Sequence, residues 1–225
     1  MSSIAQQLDA VRERIARATE RAGRPADGAR LVAVTKTFGG DAIEAAYAAG
    51  QRCFGENYAQ EIDAKAPVFA ALPGAEVRVI GNVQRRKVKG LLAHPFVIAI
   101  ETVDDAALAH EIDKRAAALG RSVEVLIQVN VGREPQKSGC LPEALDALVR
   151  EVRSLPHLRL TGLMTVPPHT DDPEGARPHF RALRALADAH GLPECSMGMS
   201  HDLDVAVSEG ASLVRIGTAI FGARR

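Results

Sequence analysis

Short apolar segments alternate with segments of helical period along nearly all of this 225-residue chain, and that alternation constrains its fold most. The apolar segments are too short for buried helices and end at glycines or polar breaks, so they read as strands. Strands are expected over residues 31–36, 52–56, 77–81, 96–101, 123–131, 158–164, 194–199 and 213–217. The stretches between them repeat apolar residues at helical spacing and stop at glycines such as Gly50, Gly120, Gly191 and Gly210. Helices are expected over residues 3–22, 41–49, 57–71, 84–93, 104–119, 142–154, 173–190 and 202–209.

Alternating strands and helices imply a parallel sheet, and eight such units fit a closed (β/α)8 TIM-type barrel of roughly 250 residues. The expected fold is therefore α/β, a single barrel domain over residues 1–225 with an extra N-terminal helix. No helix is expected after the eighth strand, because only Ala223-Arg224-Arg225 follow Phe221-Gly222. The helix before the first strand takes that place in the ring. An open doubly wound sheet is the rival, but no Gly-x-Gly-x-x-Gly follows the first strand.

The first strand carries the sharpest chemical signal. Leu31-Val32-Ala33-Val34-Thr35-Lys36 runs into the break Thr37-Phe38-Gly39-Gly40. Side chains alternate along a strand, so Val32, Val34 and Lys36 share one face. Burial on that face pushes a lysine toward its neutral, nucleophilic form, which a Schiff base with an aldehyde requires. The bland alternative is a lysine snorkelling from a strand end. Six lysines against 28 basic residues in all leave surface charge mainly to arginine, and the other five lie in polar, helical or loop contexts.

In a barrel, the C-terminal strand ends form the active rim. They place Lys36, Glu56 with Asn57, Gly81, Glu101, Asn130, Met164, Ser200 and Gly217-Thr218 there. Anions in such barrels often dock after the seventh and eighth strands, where Ser196-Met197-Gly198-Met199-Ser200 and Gly217-Thr218 stand. Ser200 also suits a simple helix cap. Arg215 shares a strand face with Gly217. It points either into the barrel, where it needs an acceptor, or outward to an acidic partner.

Other features read as bland. His169 and His179 border a loop rich in Pro and Asp and are expected in solvent. Arg85, Arg86, Lys87 and Lys89 read as a solvated helix face. Cys140 and Cys195 lack a histidine at a recognisable spacing. The loop from Gly132 to Gly139, with Lys137 and Ser138, reads as a mobile lid or a plain surface loop.

Zero formal net charge and 4% aromatic residues leave neither a basic field nor stacking platforms for nucleic acid. Three scattered cysteines suit a reducing cytoplasm. Residues from Met1 to Glu20 are charged and amphipathic, unlike a signal peptide. No apolar run approaches the roughly 20 residues of a membrane span.

Several ordered motifs carry a family resemblance. They are Ala33-Val34-Thr35-Lys36, Phe54-Gly55-Glu56-Asn57-Tyr58, Ile80-Gly81-Asn82-Val83-Gln84, Gln128-Val129-Asn130-Val131, Gly162-Leu163-Met164-Thr165, Ser196-Met197-Gly198-Met199-Ser200 and Val214-Arg215-Ile216-Gly217-Thr218-Ala219-Ile220-Phe221-Gly222. Together they resemble the YggS/PROSC family of pyridoxal phosphate homeostasis proteins. The resemblance implies a barrel similar to the N-terminal domain of alanine racemase, without that enzyme's second domain. It implies pyridoxal 5′-phosphate held as a Schiff base on Lys36, with Asn57 near the ring. It implies a phosphate cradle of Ser200, Gly217 and Thr218, and Arg215 facing the pyridine nitrogen. The implied role is to bind and buffer the cofactor in vitamin B6 and amino-acid homeostasis, with apoenzymes as possible recipients and a monomer as the expected state. The chain departs from the family pattern at Arg78, where a histidine is common, and at Arg86-Lys87, where Asn-Lys is common.

The residues agree with a carrier. An arginine against the pyridine nitrogen keeps it unprotonated and weakens the ring as an electron sink. A racemase also needs a second acid/base group, and the two tyrosines, Tyr47 and Tyr58, both stand early in the chain. Little or no racemisation is expected. The alternatives are a pyridoxal phosphate racemase or lyase with an unusual base, or a cofactor-free aldolase using Lys36. A pure interaction protein would leave Lys36, Ser200 and Thr218 unexplained.

Overall fold

A computed structural model describes residues 3–222. Eight strands form a closed parallel barrel in sequence order: β1 (Arg30–Val34), β2 (Cys53–Glu56), β3 (Glu76–Val79), β4 (Val97–Val103), β5 (Val123–Gln128), β6 (Leu158–Met164), β7 (Glu194–Ser196) and β8 (Leu213–Ile216). β8 closes on β1, with Val32 opposite Arg215. Around the sheet run α1 (Ile4–Arg21), α2 (Gly40–Ala48), α3 (Ala59–Ala70), α4 (Val88–Ala93), α5 (Ala106–Ala118), α6 (Leu145–Ser154), α7 (Arg177–Ala189), α8 (Leu203–Ser208) and α9 (Thr218–Phe221).

The two faces of each strand separate into two cores. Leu31, Ala33, Phe54, Val77, Val125, Leu163 and Val214 join the helices in one large outer core. Val32, Cys53, Leu126, Met164 and Leu213 form a small cluster inside the barrel. α1 starts at a reciprocal cap, in which the Ser3 hydroxyl accepts from the Gln6 N–H and the Gln6 side chain accepts from the Ser3 N–H. It packs against α2, α8 and α9. The N-terminal helix therefore fills the gap in the ring, as its amphipathic face requires.

Several sequence expectations change in detail, among them the strand expected over 123–131, which ends at Gln128. A helix does follow β8, the single turn α9; the residues beyond Gly222 lie outside those described. β1 stops at Val34, because the chain turns at Thr37, whose φ is 67°. β7 is three residues long and ends at Ser196. The basic helix begins as a tight turn over Arg85–Lys87 and becomes α-helical only at Val88. Three cations at a helix N-terminus oppose its dipole, and no side chain caps it.

The lower barrel interior is ionic. Arg78, fully buried on β3, donates through Nε to Glu101 and through Nη2 to Glu124. Glu194 lies 3.5 Å from the same nitrogen, and Arg159 reaches Glu124 at 2.8 Å. Arg78 thus departs from the family pattern in the barrel interior. Glu101 is also no rim residue. β4 runs past it to Val103, with a register shift after Ile100, and Glu101 is fully buried.

This network makes stability depend on acid. Burial alone would raise the Glu124 carboxyl, but Arg78 and Arg159 outweigh it and hold the group below its ordinary 4.5. A depressed carboxyl contributes stability above its unfolded value and loses it as pH falls through the folded one. Glu194 shifts the other way, because burial outweighs Arg78 there, and it offsets part of the effect. The melting midpoint is expected to fall once the pH drops below about 4.5, and less steeply in Glu124→Gln. A midpoint unchanged down to about pH 3.5 would contradict this.

Candidate functional site

One cavity of about 680 Å³ opens at the C-terminal ends of the strands. Lys36, Asn57, Ser200, Arg215, Gly217 and Thr218 all line it, although they come from four separate places in the sequence. Val34 lines it with Lys36, which continues the inward face of Val32 beyond the end of β1. Arg215 is 4% exposed and faces inward, which settles its two readings. Burial pulls its guanidinium pKa down, and Glu101 and Asp202 oppose that pull.

The backbone on both sides of Lys36 is held by one buried cluster. Lys65 Nζ donates to the Thr35 carbonyl at 2.8 Å, to Glu56 Oε1 at 2.7 Å and to Glu61 Oε2 at 2.8 Å. Glu56 also accepts from the Thr35 hydroxyl, and Glu61 accepts from the Thr37 N–H at 2.7 Å. That last bond helps hold Thr37 in the left-handed region, which disfavours a β-branched residue. Glu56 therefore points away from the cavity instead of lining the rim. Burial raises its carboxyl pKa, with Lys65 acting against the rise. Lys65 corrects the reading that every lysine but Lys36 serves the surface. The signal was present in the sequence, because Ile62, Lys65 and Phe69 fall on one buried face of α3.

Ser200 and Thr218 meet across two loops. The Thr218 hydroxyl donates to Ser200 Oγ at 3.0 Å, and the Ala219 N–H reaches the same oxygen at 3.4 Å. Arg14 of α1 holds the Ser200 carbonyl at 2.8 Å, so the helix that completes the ring also braces this corner. Ser200 does not cap α8: Asp202 holds the N-cap position without a side-chain cap bond, and its carboxylate accepts from the preceding Met199 N–H at 2.6 Å.

Asn57 carries a buried Oδ1 with no hydrogen-bond partner among the described residues. Gly81 packs directly behind it. A Cβ at Gly81 would stand 2.2 Å from the Asn57 carbonyl oxygen and 2.7 Å from its Cα. Backbone cannot yield as a flexible side chain can, so Gly81→Ala is expected to lose about 1–3 kcal/mol. Differential scanning calorimetry should show a fall of roughly 2–12 °C in the melting midpoint. An unchanged midpoint would mean that this corner is looser than its geometry.

The loop from Gly132 to Gly139 lies against the cavity. Asn130 Nδ2 donates to the Glu134 carbonyl at 2.9 Å, and Lys137 Nζ donates to the Pro167 carbonyl at 2.8 Å. Lys137 and His169 thereby line the cavity, a role the sequence reading did not give them. His169 is exposed as expected, while His179 is half-buried. Asn130 serves this loop rather than the cavity. Burial raises the thiols of Cys53 to about 12 and of Cys140 and Cys195 to about 11, so none is a nucleophile near neutral pH.

Comparison with known proteins gives a consistent picture. Residues 6–225 match the family described as alanine racemase, N-terminal domain. The pyridoxal phosphate homeostasis protein of Aquifex aeolicus is 43% identical over 226 residues, covering 98% of each chain. That of Pseudomonas aeruginosa is 42% identical over 226 residues, covering 100% of this chain and 97% of its own. The structure of PipY from Synechococcus elongatus with PLP bound superposes with a TM-score of 0.84 at 34% identity, covering 98% of this chain and 100% of PipY. Alanine racemase of Clostridium difficile superposes at 0.72 with 14% identity, a likeness of fold.

Proposed function

This chain belongs to the alanine racemase N-terminal-domain family and, within it, to the pyridoxal phosphate homeostasis proteins, and from that premise we propose how its cavity holds the cofactor. The chain is a pyridoxal phosphate-binding protein of vitamin B6 homeostasis. The observation that carries the assignment of residues is the convergence of Lys36, Arg215, Ser200 and Thr218 on one cavity.

The residues fit the group. Asn57 offers a buried, unpartnered oxygen on the cavity wall. A Cβ at Gly217 would come within 3.2 Å of the Val34 carbonyl, so the glycine keeps the wall open beside the two hydroxyls. Pyridoxal phosphate supplies an aldehyde for a lysine amine and a ring that can take up electrons. Lys36 would supply the amine for that aldehyde. Ser200 and Thr218 donate hydroxyls to the phosphate, and Gly217 lets it approach the backbone. Arg215 donates to the ring nitrogen. A guanidinium does not give up its proton, so it holds that nitrogen in its neutral form.

The same set argues for a carrier. Tyr47 sits on α2 with its hydroxyl on the Pro73 carbonyl at 2.8 Å, and Tyr58 is 53% exposed. Neither lines the cavity among the described residues, so neither serves as the opposing acid/base of a racemase. The barrel works as one binding domain and as a monomer, and apoenzymes that lack the cofactor are its recipients. Its three cysteines are free and buried, which suits a reducing cytoplasm. No helix among the described residues is long and apolar enough to cross a membrane.

The test is an absorption titration of the purified full-length chain with pyridoxal phosphate, followed by incubation with L- and D-alanine. A visible band that saturates at one equivalent, with no interconversion of the enantiomers, is expected. A chain that stays colourless overturns the binding assignment. Racemisation at enzyme-like rates overturns the carrier.

A further inference from the structure

Arg215 is not alone in the barrel interior. Its Nη2 donates to the Thr165 carbonyl at 2.8 Å and its Nη1 donates to Ser196 Oγ at 2.7 Å. The Ser196 hydroxyl, itself fully buried on β7, donates onward to Glu101 Oε2 at 2.5 Å. Glu101 Oε1 accepts from Arg78 Nε.

The direction of this chain is forced. A guanidinium only donates and an ionised carboxylate only accepts. The one hydroxyl proton of Ser196 therefore goes to Glu101, and its lone pair faces Arg215. Ser196 is the sole side chain among the described hydrogen bonds that joins Arg215 to the ionic interior. Glu101 compensates the charge of Arg215 without touching it. The two ends of the relay are anchored differently. Arg78 holds Glu101 from below, and the Thr165 carbonyl holds the second Arg215 nitrogen from the side.

We infer that Ser196 and Glu101 are positioning residues for Arg215, fixing which guanidinium N–H faces the cavity and so setting the protonation and the spectrum of the ring bound there. This rests on the pyridoxal phosphate assignment. The sequence gives no hint of it, since Ser196 reads as part of a phosphate loop and Glu101 as a rim acid. With the relay intact, Arg215 is held rigidly enough that the ring nitrogen meets a donor and not water. With it broken, the guanidinium swings within its pocket and the nitrogen gains access to protons.

The experiment uses full-length Ser196→Ala and Glu101→Gln beside the unchanged chain. Each is titrated with pyridoxal phosphate, the bound absorption band is followed against pH, and melting is recorded without cofactor. Ser196→Ala removes a single oxygen, and Glu101→Gln keeps the shape while removing the charge, so the two disturb folding differently. Both are expected to bind about tenfold or more weakly, the scale of one lost hydrogen bond to a charged group. In both, the pH at which the bound band changes form is expected to move. A purely structural role would lower the melting midpoint and leave the bound spectrum and its pH profile as they are in the unchanged chain. That outcome, in either variant that folds, overturns the inference. An unchanged chain that fails to bind overturns the cofactor assignment instead, so the two failures are separable.

Discussion

Replacing Lys36 with alanine is expected to abolish the borohydride-trapped bond between this chain and pyridoxal phosphate. Lys36 follows the inward face of β1 into the cavity. The residues on either side of it are tied down by Lys65 and Glu61, so the amine is delivered at a fixed point. Two other lysines lie near this corner. Lys65 is 8% exposed and spends its three N–H donors on Thr35, Glu56 and Glu61. Lys137 pairs with Glu134 and the Pro167 carbonyl. After borohydride, mass spectrometry of the parent chain should place the reduced adduct on Lys36, and the variant should carry none. Lys36 is half-buried and its charge also acts on Glu61, so the fold should lose no more than about 1 kcal/mol. A parent adduct mapped to Lys65 or Lys137 would overturn the assignment. Loss of the adduct together with a large fall in melting temperature would trace the effect to folding.

The largest effect on stability is expected from Arg78→Met. Methionine keeps much of the stem volume, so the change reads mainly the charge. It leaves Glu101 fully buried and Glu124 and Glu194 largely so, without their shared cation. Removing one partner of a buried ion pair costs about 3–5 kcal/mol, because the remaining charge stays desolvated. For a chain of this length that corresponds to a fall in the melting midpoint of roughly 6–20 °C. Adding Glu101→Gln to Arg78→Met should cost less than the sum of the single changes, since the two side chains are bonded to each other. Additive losses would show that the interior charges do not act as one network. Arg78 is not thereby a better choice than an apolar residue. Well-packed hydrophobic side chains often replace buried ion pairs without loss, and what this network supplies is a charged partner for the relay to Arg215.

The barrel was legible because its cause is local. Each strand is a short apolar run and each helix an amphipathic repeat, and closure follows from eight units of one type. Strand ends were less legible. Whether β1 stops at Val34 or Lys36 depends on Thr37 adopting a positive φ, which Glu61 supports from α3. The rim residues were half legible for the same reason. Lys36 and Asn57 reach the cavity, but Glu56, the last residue of β2, turns outward to Lys65. Glu101 looked like a rim acid because the register shift that carries β4 past it depends on pairing with β5.

What the sequence determined by itself was the periodicity, the order of the elements and the placing of one lysine at the end of the first strand. Each of these follows from side-chain pattern within a few residues. The motifs that resemble known proteins added a cofactor and candidate contacts. Only the tertiary structure decided which polar groups face which. Arg78, Glu101, Ser196 and Arg215 are separated by up to 137 residues, from position 78 to position 215, and nothing local marks them as partners. They meet because closing the barrel turns the inward positions of β3, β4, β7 and β8 toward one axis. There a buried charge must find its partner across the interior or remain unpaired.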